Sequence, residues 1–400
     1  MVPAALKTGG ARDGQWNERM VQTQETLRVM VVDDTVVYRK IVSDVLMELP
    51  NVEVVGTAHN GKAALLKIKT LKPDLLTLDI EMPELNGLEV LQQLQTEAPH
   101  VGAIMLSTLT QEGGAMTMRA LELGAFDFIP KPQAGTMAEN KAAVKGALAP
   151  MLKAFERSRQ IKSQLSLLSR TQVVRRPPAS MPIRTISSKM AGRSESASII
   201  GIGISTGGPN ALAKMLPKIP GDIGVPIVIV QHMPPLFTRS LANSLNNKCE
   251  IEVKEAVNGE PVLPNVAYIA PGGMQMKIVA GADGKQRVIK ISNDPPENNC
   301  KPSVDYLFRS IADHYVGRAT GVIMTGMGSD GAKGLKLMKN NGATVIAQDE
   351  SSCVVFGMPK EPIESGVADV VAPLDLIAAE ILKTVQYRAT KVPNVALVRG

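Results

Sequence analysis

Aromatic residues are scarce, at 3% of the chain, yet hydrophobic residues reach 44% and keep the composition globular. The three cysteines (Cys249, Cys300, Cys353) are odd in number and form no CxxC pair. They give no basis for a disulfide framework or a sequence-local zinc site, and buried free thiols are expected. No apolar run of 18 residues occurs, and the opening MVPAALKTGGARDGQWNERM has no apolar core of a signal peptide. Membrane insertion and secretion are therefore not expected, and the reading is cytoplasmic. Histidine is also rare, with four in 400 residues. Any imidazole chemistry must come from His59, His100, His232 or His314.

The formal charge of +6 would ordinarily raise nucleic-acid binding. Its distribution argues against that. Residues 151–197 hold ten Lys or Arg against Glu156 and Glu195, a net +8, so the rest of the chain carries −2. That segment includes SRTQVVRRPPASMPIRTISSKMAGRSESAS, rich in Ser, Arg and Pro without sustained periodicity after a helix-like stretch ending near Leu168. It reads as a flexible basic linker. The length calls for two domains. The expected division is a mobile tail at 1–26, a domain at 27–150, the linker at 151–196, a second domain at 197–390 and a tail at 391–400.

Both blocks alternate short β-branched runs with helical patterns of 10–15 residues. LRVMVVDD, VEVVGTAH, LLTLDI, GAIMLST and FDFIP are the strands expected in the first block. ASIIGIGIS, VPIVIVQH, VAYIA, GVIMTGM, TVIAQ and VADVVA are those of the second. Apolar strands separated by helices imply two α/β domains, each with a doubly wound parallel sheet covered on both faces. MKIVAGADGKQRVIKI, around a glycine turn, is expected as an added antiparallel hairpin. In open parallel sheets, functional groups gather at the carboxyl ends of strands. Each motif can be tested against that rule.

Five residues of the first block pass it. Asp33 and Asp34 end the first strand, Asp79 the third, while Ser107 and Lys131 follow the fourth and fifth. Singly, these are helix caps, turn residues or surface charges. Jointly they form an acidic pocket with one lysine, suited to Mg²⁺ and to phosphoryl transfer onto a carboxylate. VVDD, LDIEMPELNG, MLS and PKP occur in the order of the response-regulator receiver domain, which residues 27–135 resemble. The resemblance implies phosphorylation of Asp79 by a histidine kinase. It also implies Mg²⁺ held by Asp34 and Asp79 with help from Asp33 and the backbone carbonyl of Glu81, and Ser107 and Lys131 contacting the phosphoryl group. Phe128 stands where many receivers carry a switch tyrosine, which excludes a hydroxyl-based readout.

In the second block, GIGISTGG lacks the spacing of GxGxxG and the lysine of a P-loop, but Gly203–Gly207 matches G-x-S-x-G. A serine there is often only a helix cap, and as a nucleophile it needs a base. His232 follows VPIVIVQ at a strand end, whereas His314 lies within a helical pattern. Asp330, in the glycine-rich turn after GVIMTGM, is placed to orient the imidazole. The order Ser205, His232, Asp330 differs from the Ser…Asp…His of α/β-hydrolases. With ISTGGPNAL, QHMPPLFTRSLA, VLPNVAYIAPGG, KPSVDYLF, TGMGSDGAKG and SCVVFGMPKEPI, it resembles the catalytic domain of chemotaxis-receptor methylesterases, the CheB family. The resemblance covers both blocks. It implies hydrolysis of γ-glutamyl methyl esters on cytoplasmic chemoreceptor helices, and deamidation of receptor glutamines. It further implies an oxyanion hole from the N–H groups of Thr206 and Met327, and no metal for the esterase step. The family often has a histidine where this chain has Gln275, which can hydrogen-bond but cannot titrate.

Overall fold

A computed structural model describes residues 26–170 and 196–385, with side chains given outside 161–170. The sequence-predicted end tails and the stretch 171–195 of the linker lie outside the described residues, except for Thr26 and the positions flanking each gap.

The first domain alternates β1 (Leu27–Val32), α1 (Val36–Met47), β2 (Val52–Ala58), α2 (Gly61–Leu71), β3 (Leu75–Asp79), α3 (Gly87–Glu97), β4 (Gly102–Ser107), α4 (Gln111–Glu122), β5 (Asp127–Pro130) and α5 (Met137–Arg170). Its five strands are all parallel in the order β2-β1-β3-β4-β5. The sheet is buried on both faces because β1, β3 and β4 carry almost unbroken aliphatic runs. Local signals set the helix starts. Asn86 and Glu89 form a reciprocal capping box at α3, and Thr110 caps α4 through Gly113 N–H.

The second domain contains β6 (Ile199–Ile204), α6 (Gly208–Met215), β7 (Ile227–Gln231), α7 (Phe237–Asn246), β8 (Glu252–Glu255), β9 (Val266–Ile269), β10 (Gln275–Ala280), β11 (Arg287–Ser292), α8 (Val304–His314), β12 (Ala319–Ile323), α9 (Ala332–Asn340), β13 (Thr344–Gln348), α10 (Lys360–Glu364), β14 (Val370–Ala372) and α11 (Leu374–Thr384). Seven parallel strands follow the order β14-β13-β12-β6-β7-β9-β8. One of them, β8, was not expected: EVKE is short, charged at three of its four positions and lies at the sheet edge, so it lacks the apolar run that marks the others. The antiparallel hairpin β10–β11 occurs as expected, as a sheet of its own.

Strand β6 lies in the middle, with β7 on one side and β12 on the other. The chain leaves β6 in one direction and returns later on the opposite side, so the crevice of the sheet opens above its carboxyl end. Strand register brings the residues directly after β6 and β7 to this point side by side, and the turn after β12 reaches it as well.

Helix α5 runs unbroken across position 150, with Pro150 inside it. Phe155 packs edge-on against Phe126, with ring centroids 5.3 Å apart, and Arg159 pairs with Asp74 at 2.5 Å. The part of the basic segment up to Arg170 is thus helix. Its sequence-predicted helical stretch, ending near Leu168, agrees with that end.

The two domains share a packed face. Phe128 of β5 stacks on Phe237 of α7, with centroids 4.9 Å apart and planes 17° from parallel. Glu122 accepts from Ser244 Oγ at 2.8 Å and from Lys248 Nζ at 2.6 Å. Asn210 Nδ2 donates to Ala125 O at 3.2 Å. At Gly114 a Cβ would lie 2.7 Å from Ser240 Oγ, so α4 approaches α7 at a distance that glycine permits.

Candidate active site

Ser205 immediately follows β6. Its N–H donates to Thr325 O at 2.9 Å, which anchors the nucleophile turn to the segment after β12. Gly207 has φ +74°, and a Cβ there would meet Val354 Cβ at 2.6 Å. Position 207 therefore requires glycine twice over, for its backbone conformation and for its space. Gly326 allows a second close approach, since a Cβ would lie 2.7 Å from that of Ser205.

His232 follows β7. Ile204 and Gln231 are register partners, so Ser205 and His232 are the next residues on adjacent parallel strands. His232 N–H donates to Ile204 O at 3.1 Å. The imidazole Nε2 lies 2.8 Å from Asp330 Oδ2. Nδ1 is the ring nitrogen left for other work, and Cys300 Sγ lies 3.8 Å from it. Ser205 Oγ makes no hydrogen bond to a described residue. Such contacts are often long before substrate binds.

Asp330 is buried and saturated with donors. Its Oδ1 accepts from Asn298 Nδ2 at 2.8 Å, Ser303 Oγ at 2.9 Å and Asp305 N–H at 3.1 Å. Its Oδ2 also accepts from Val304 N–H at 2.7 Å. Ser303, Val304 and Asp305 form the start of α8, where unpaired N–H groups and the helix dipole favour an anion, and Asn298 donates from the loop before it. A carboxylate just ahead of a helix such as α9 ordinarily caps that helix. The carboxylate instead sits on a different helix, α8. Burial opposes its ionisation, but the hydrogen bond and charge of His232, with Val304 N–H and Asn298, hold the carboxyl below the usual range. For His232 burial disfavours the cation. The bonds to Asp330 and Cys300 outweigh burial and push its pKa up to about 9.

Asn298, Cys300 and Ser303 were missed by sequence reasoning. Their loop lies far from both Ser205 and His232 along the chain, and only Ser303, before the helical VDYLF pattern, carried a local capping signal. Gln275 stands where the family often has a histidine. It is fully buried, accepts from Ser303 N–H at 2.9 Å and donates to Pro295 O at 3.1 Å. It therefore pins the loop that supplies donors to Asp330. The N–H groups of Thr206 and Met327 have no acceptor among the described residues, and Met327 is exposed.

The structure also gathers the five strand-end residues of the first domain. Lys131 Nζ bridges Asp79 Oδ2 at 2.6 Å and Asp33 Oδ2 at 2.8 Å. Oxygens of Asp33, Asp34 and Asp79 lie within 4.8 Å of one another. Three carboxylates with a single ammonium, two of them buried and Asp34 exposed, form a hard oxygen donor set open on one side, which fits Mg²⁺. Burial, partly offset by Lys131, pushes the Asp79 pKa up to about 6. Ser107 Oγ accepts from Thr117 Oγ1 at 2.7 Å and donates to Gly113 O at 3.2 Å, both in α4.

A further carboxylate connects the domains. Asp127, at the start of β5, accepts from Gly207 N–H at 3.0 Å. Burial, tempered by the N–H groups of Phe128 and Gly207, pushes its pKa up to about 6. Sequence reading took this residue only as part of a strand.

Comparison with known proteins identifies the family of each domain. The response regulator receiver domain family matches residues 29–142, and the CheB methylesterase family matches residues 200–381. A protein-glutamate methylesterase/protein-glutamine glutaminase of Desulfotalea psychrophila is 58% identical over 367 residues, 90% of this chain and 99% of that one. The Bacillus subtilis protein of the same name is 43% identical over 365 residues, with the same coverage. The solved CheB methylesterase catalytic domain of Thermotoga maritima is 43% identical and covers 47% of this chain and 99% of its own, with a TM-score of 0.46. With a receiver domain ahead of a seven-stranded α/β domain, and relatives aligned along almost their whole length, the chain belongs to the CheB family of protein-glutamate methylesterase/protein-glutamine glutaminases.

Proposed function

We propose that this chain is a phosphorylation-regulated esterase that removes methyl groups from glutamate methyl esters of chemoreceptors and deamidates receptor glutamines, with Ser205, His232 and Asp330 as its catalytic triad. The observation that carries the reading is the 2.8 Å contact of His232 Nε2 with Asp330, on an imidazole one register step beyond β7 and beside Ser205.

Ser205 Oγ attacks the ester carbonyl as its proton passes to His232. Because Nε2 is held by Asp330, the accepting atom is Nδ1. Asp330, kept ionised by the start of α8, stabilises the imidazolium and fixes the ring. The N–H groups of Thr206 and Met327 are the donors for the oxyanion, and losing one such donor costs about 3–4 kcal/mol of transition-state stabilisation. The imidazolium returns its proton to the leaving oxygen and methanol departs. Water then adds to the acyl-serine with the same base, releasing the carboxylate and restoring Ser205. With a glutamine side chain the leaving group is ammonia. Ser205→Ala and His232→Gln are each expected to abolish release of methanol from methylated receptor peptides with the fold retained. Unchanged release by either variant would refute the triad.

Asp33, Asp34 and Asp79, with the Glu81 carbonyl, would hold Mg²⁺, which supplies charge neutralisation during phosphoryl transfer. Asp79 accepts the phosphoryl group from a histidine kinase, and Lys131 and Ser107 contact its oxygens. Ser107 is hydrogen-bonded into α4, and α4 packs on α7. Turning Ser107 toward the phosphoryl group breaks its bonds to Thr117 and Gly113 and loosens the contact with the catalytic domain. In the unphosphorylated chain, Asp127 occupies Gly207 N–H, two residues from the nucleophile, and the receiver restrains access. The substrate and kinase place the protein in the cytoplasm, with no nucleic acid as partner. Among the described residues, no helix is long and apolar enough to cross a membrane.

A further inference from the structure

The cysteine count gave no local zinc motif, yet the fold brings one thiol to the catalytic imidazole. Cys300 Sγ lies 3.8 Å from His232 Nδ1, although 68 positions separate them in the chain. Both side chains are half-buried at the crevice, with His232 14% exposed. Zinc binds imidazole nitrogen at about 2.0–2.1 Å and thiolate sulfur at about 2.3 Å, so a tetrahedral ion would hold the two atoms about 3.6 Å apart. The observed spacing is close to that figure, and a small ring movement closes the difference.

The other ring nitrogen is equally suitable. A zinc-bound histidine ordinarily gives its second N–H to a carboxylate, which fixes the tautomer and the ring plane. Asp330 does this at 2.8 Å. It lies close enough to be counted with the pair as a donor cluster. With five donors already on its two oxygens, however, its roughly four lone-pair directions are used, so it serves as the orienting group.

We infer that His232 Nδ1 and Cys300 Sγ form an inhibitory site for a thiophilic divalent cation, Zn²⁺ in particular, with water completing the coordination. On binding, the thiol proton passes to solvent, the sulfur ligates as thiolate, and the Nδ1 lone pair goes to the metal. His232 then cannot accept the Ser205 proton, and ester hydrolysis stops until the metal is removed. The inference rests on the reading of His232 as the base, and the experiment separates the two.

The full-length chain is titrated with Co²⁺ as a spectroscopic stand-in, then with Zn²⁺. A thiolate-to-cobalt charge-transfer absorption is expected, displaced by Zn²⁺. It should persist in Cys249→Ser and disappear in Cys300→Ser, Cys300→Ala and His232→Gln. No such band, or a band that survives both Cys300 variants, overturns the site. In parallel, Zn²⁺ should inhibit hydrolysis reversibly by EDTA. Cys300→Ser and Cys300→Ala, each measured against its own metal-free rate, should need about tenfold more metal, because one of two protein ligands is lost. Equal sensitivity of the native chain and both variants overturns the inhibitory role. A Cys300-dependent band with undiminished hydrolysis would leave the metal site standing and remove His232 as the base.

Discussion

At the scale of single residues, the site is governed by how each ionisable group is held. Asp330 has its charge fixed by five donors, so its role in the proposed triad is orientation and electrostatics. Asp330→Asn keeps the shape and loses the charge. It is expected to lower kcat by roughly 10³–10⁴-fold with little change in KM, measured as methanol release under saturating substrate. The same contacts that fix His232 also make it a stronger base, with its pKa pushed up to about 9. Only the neutral ring accepts the serine proton, and the neutral fraction grows as pH rises. The rate should therefore climb from neutral pH and level off above about pH 9, in buffer containing a chelator. A profile flat between pH 6 and 9 would mean that His232 is not the titrating base.

At the scale of elements, the sharp turn between β6 and α6 sets the position of Ser205, the proposed nucleophile. Gly207→Ala forces a side chain into positive φ and against Val354, at a cost of about 1–2 kcal/mol from the backbone alone. A lowered denaturant midpoint together with a loss of activity larger than the loss of folded protein is the expected pair of results. This turn was legible in the sequence, because G-x-S-x-G after an apolar run has few local solutions. The start of α8 was only half legible. Ser303 announces a helix cap, but the capping donors also serve Asp330, which arrives from beyond β12. Nothing local in VDYLF indicates that the carboxylate of Asp330 docks on its first turn. Strand β8 was missed for a related reason: edge strands need one covered face, and a tetrapeptide with a single apolar residue, Val253, carries little signal.

At the scale of the molecule, the proposed regulation rests on the shared face of α4, β5, α6 and α7. Phe128 has no hydroxyl to report phosphorylation, and the structure gives its ring another place, stacked on Phe237. Phe128→Ala is expected to loosen this face and raise the activity of the unphosphorylated chain several-fold, toward that of an isolated 197–400 fragment. A fragment no more active than the unphosphorylated chain would count against receiver inhibition. Asp79→Asn should leave basal hydrolysis unchanged and abolish its stimulation by a small-molecule phosphodonor with Mg²⁺, since the acceptor oxygen is lost. Stimulation that persists in Asp79→Asn would place the phosphoryl group elsewhere.

The amino-acid sequence by itself determined two α/β units and the strand ends on which Ser205, His232, Asp79 and Lys131 stand, because period, apolar runs and glycine turns are properties of neighbouring residues. The tertiary structure alone decided which ring nitrogen of His232 faces Asp330, that Cys300 stands beside the other, and that Asp127 of one domain meets Gly207 of the other. Those are contacts between segments about 70 to 100 positions apart. No local preference specifies them; sheet order and close packing of the two domains do.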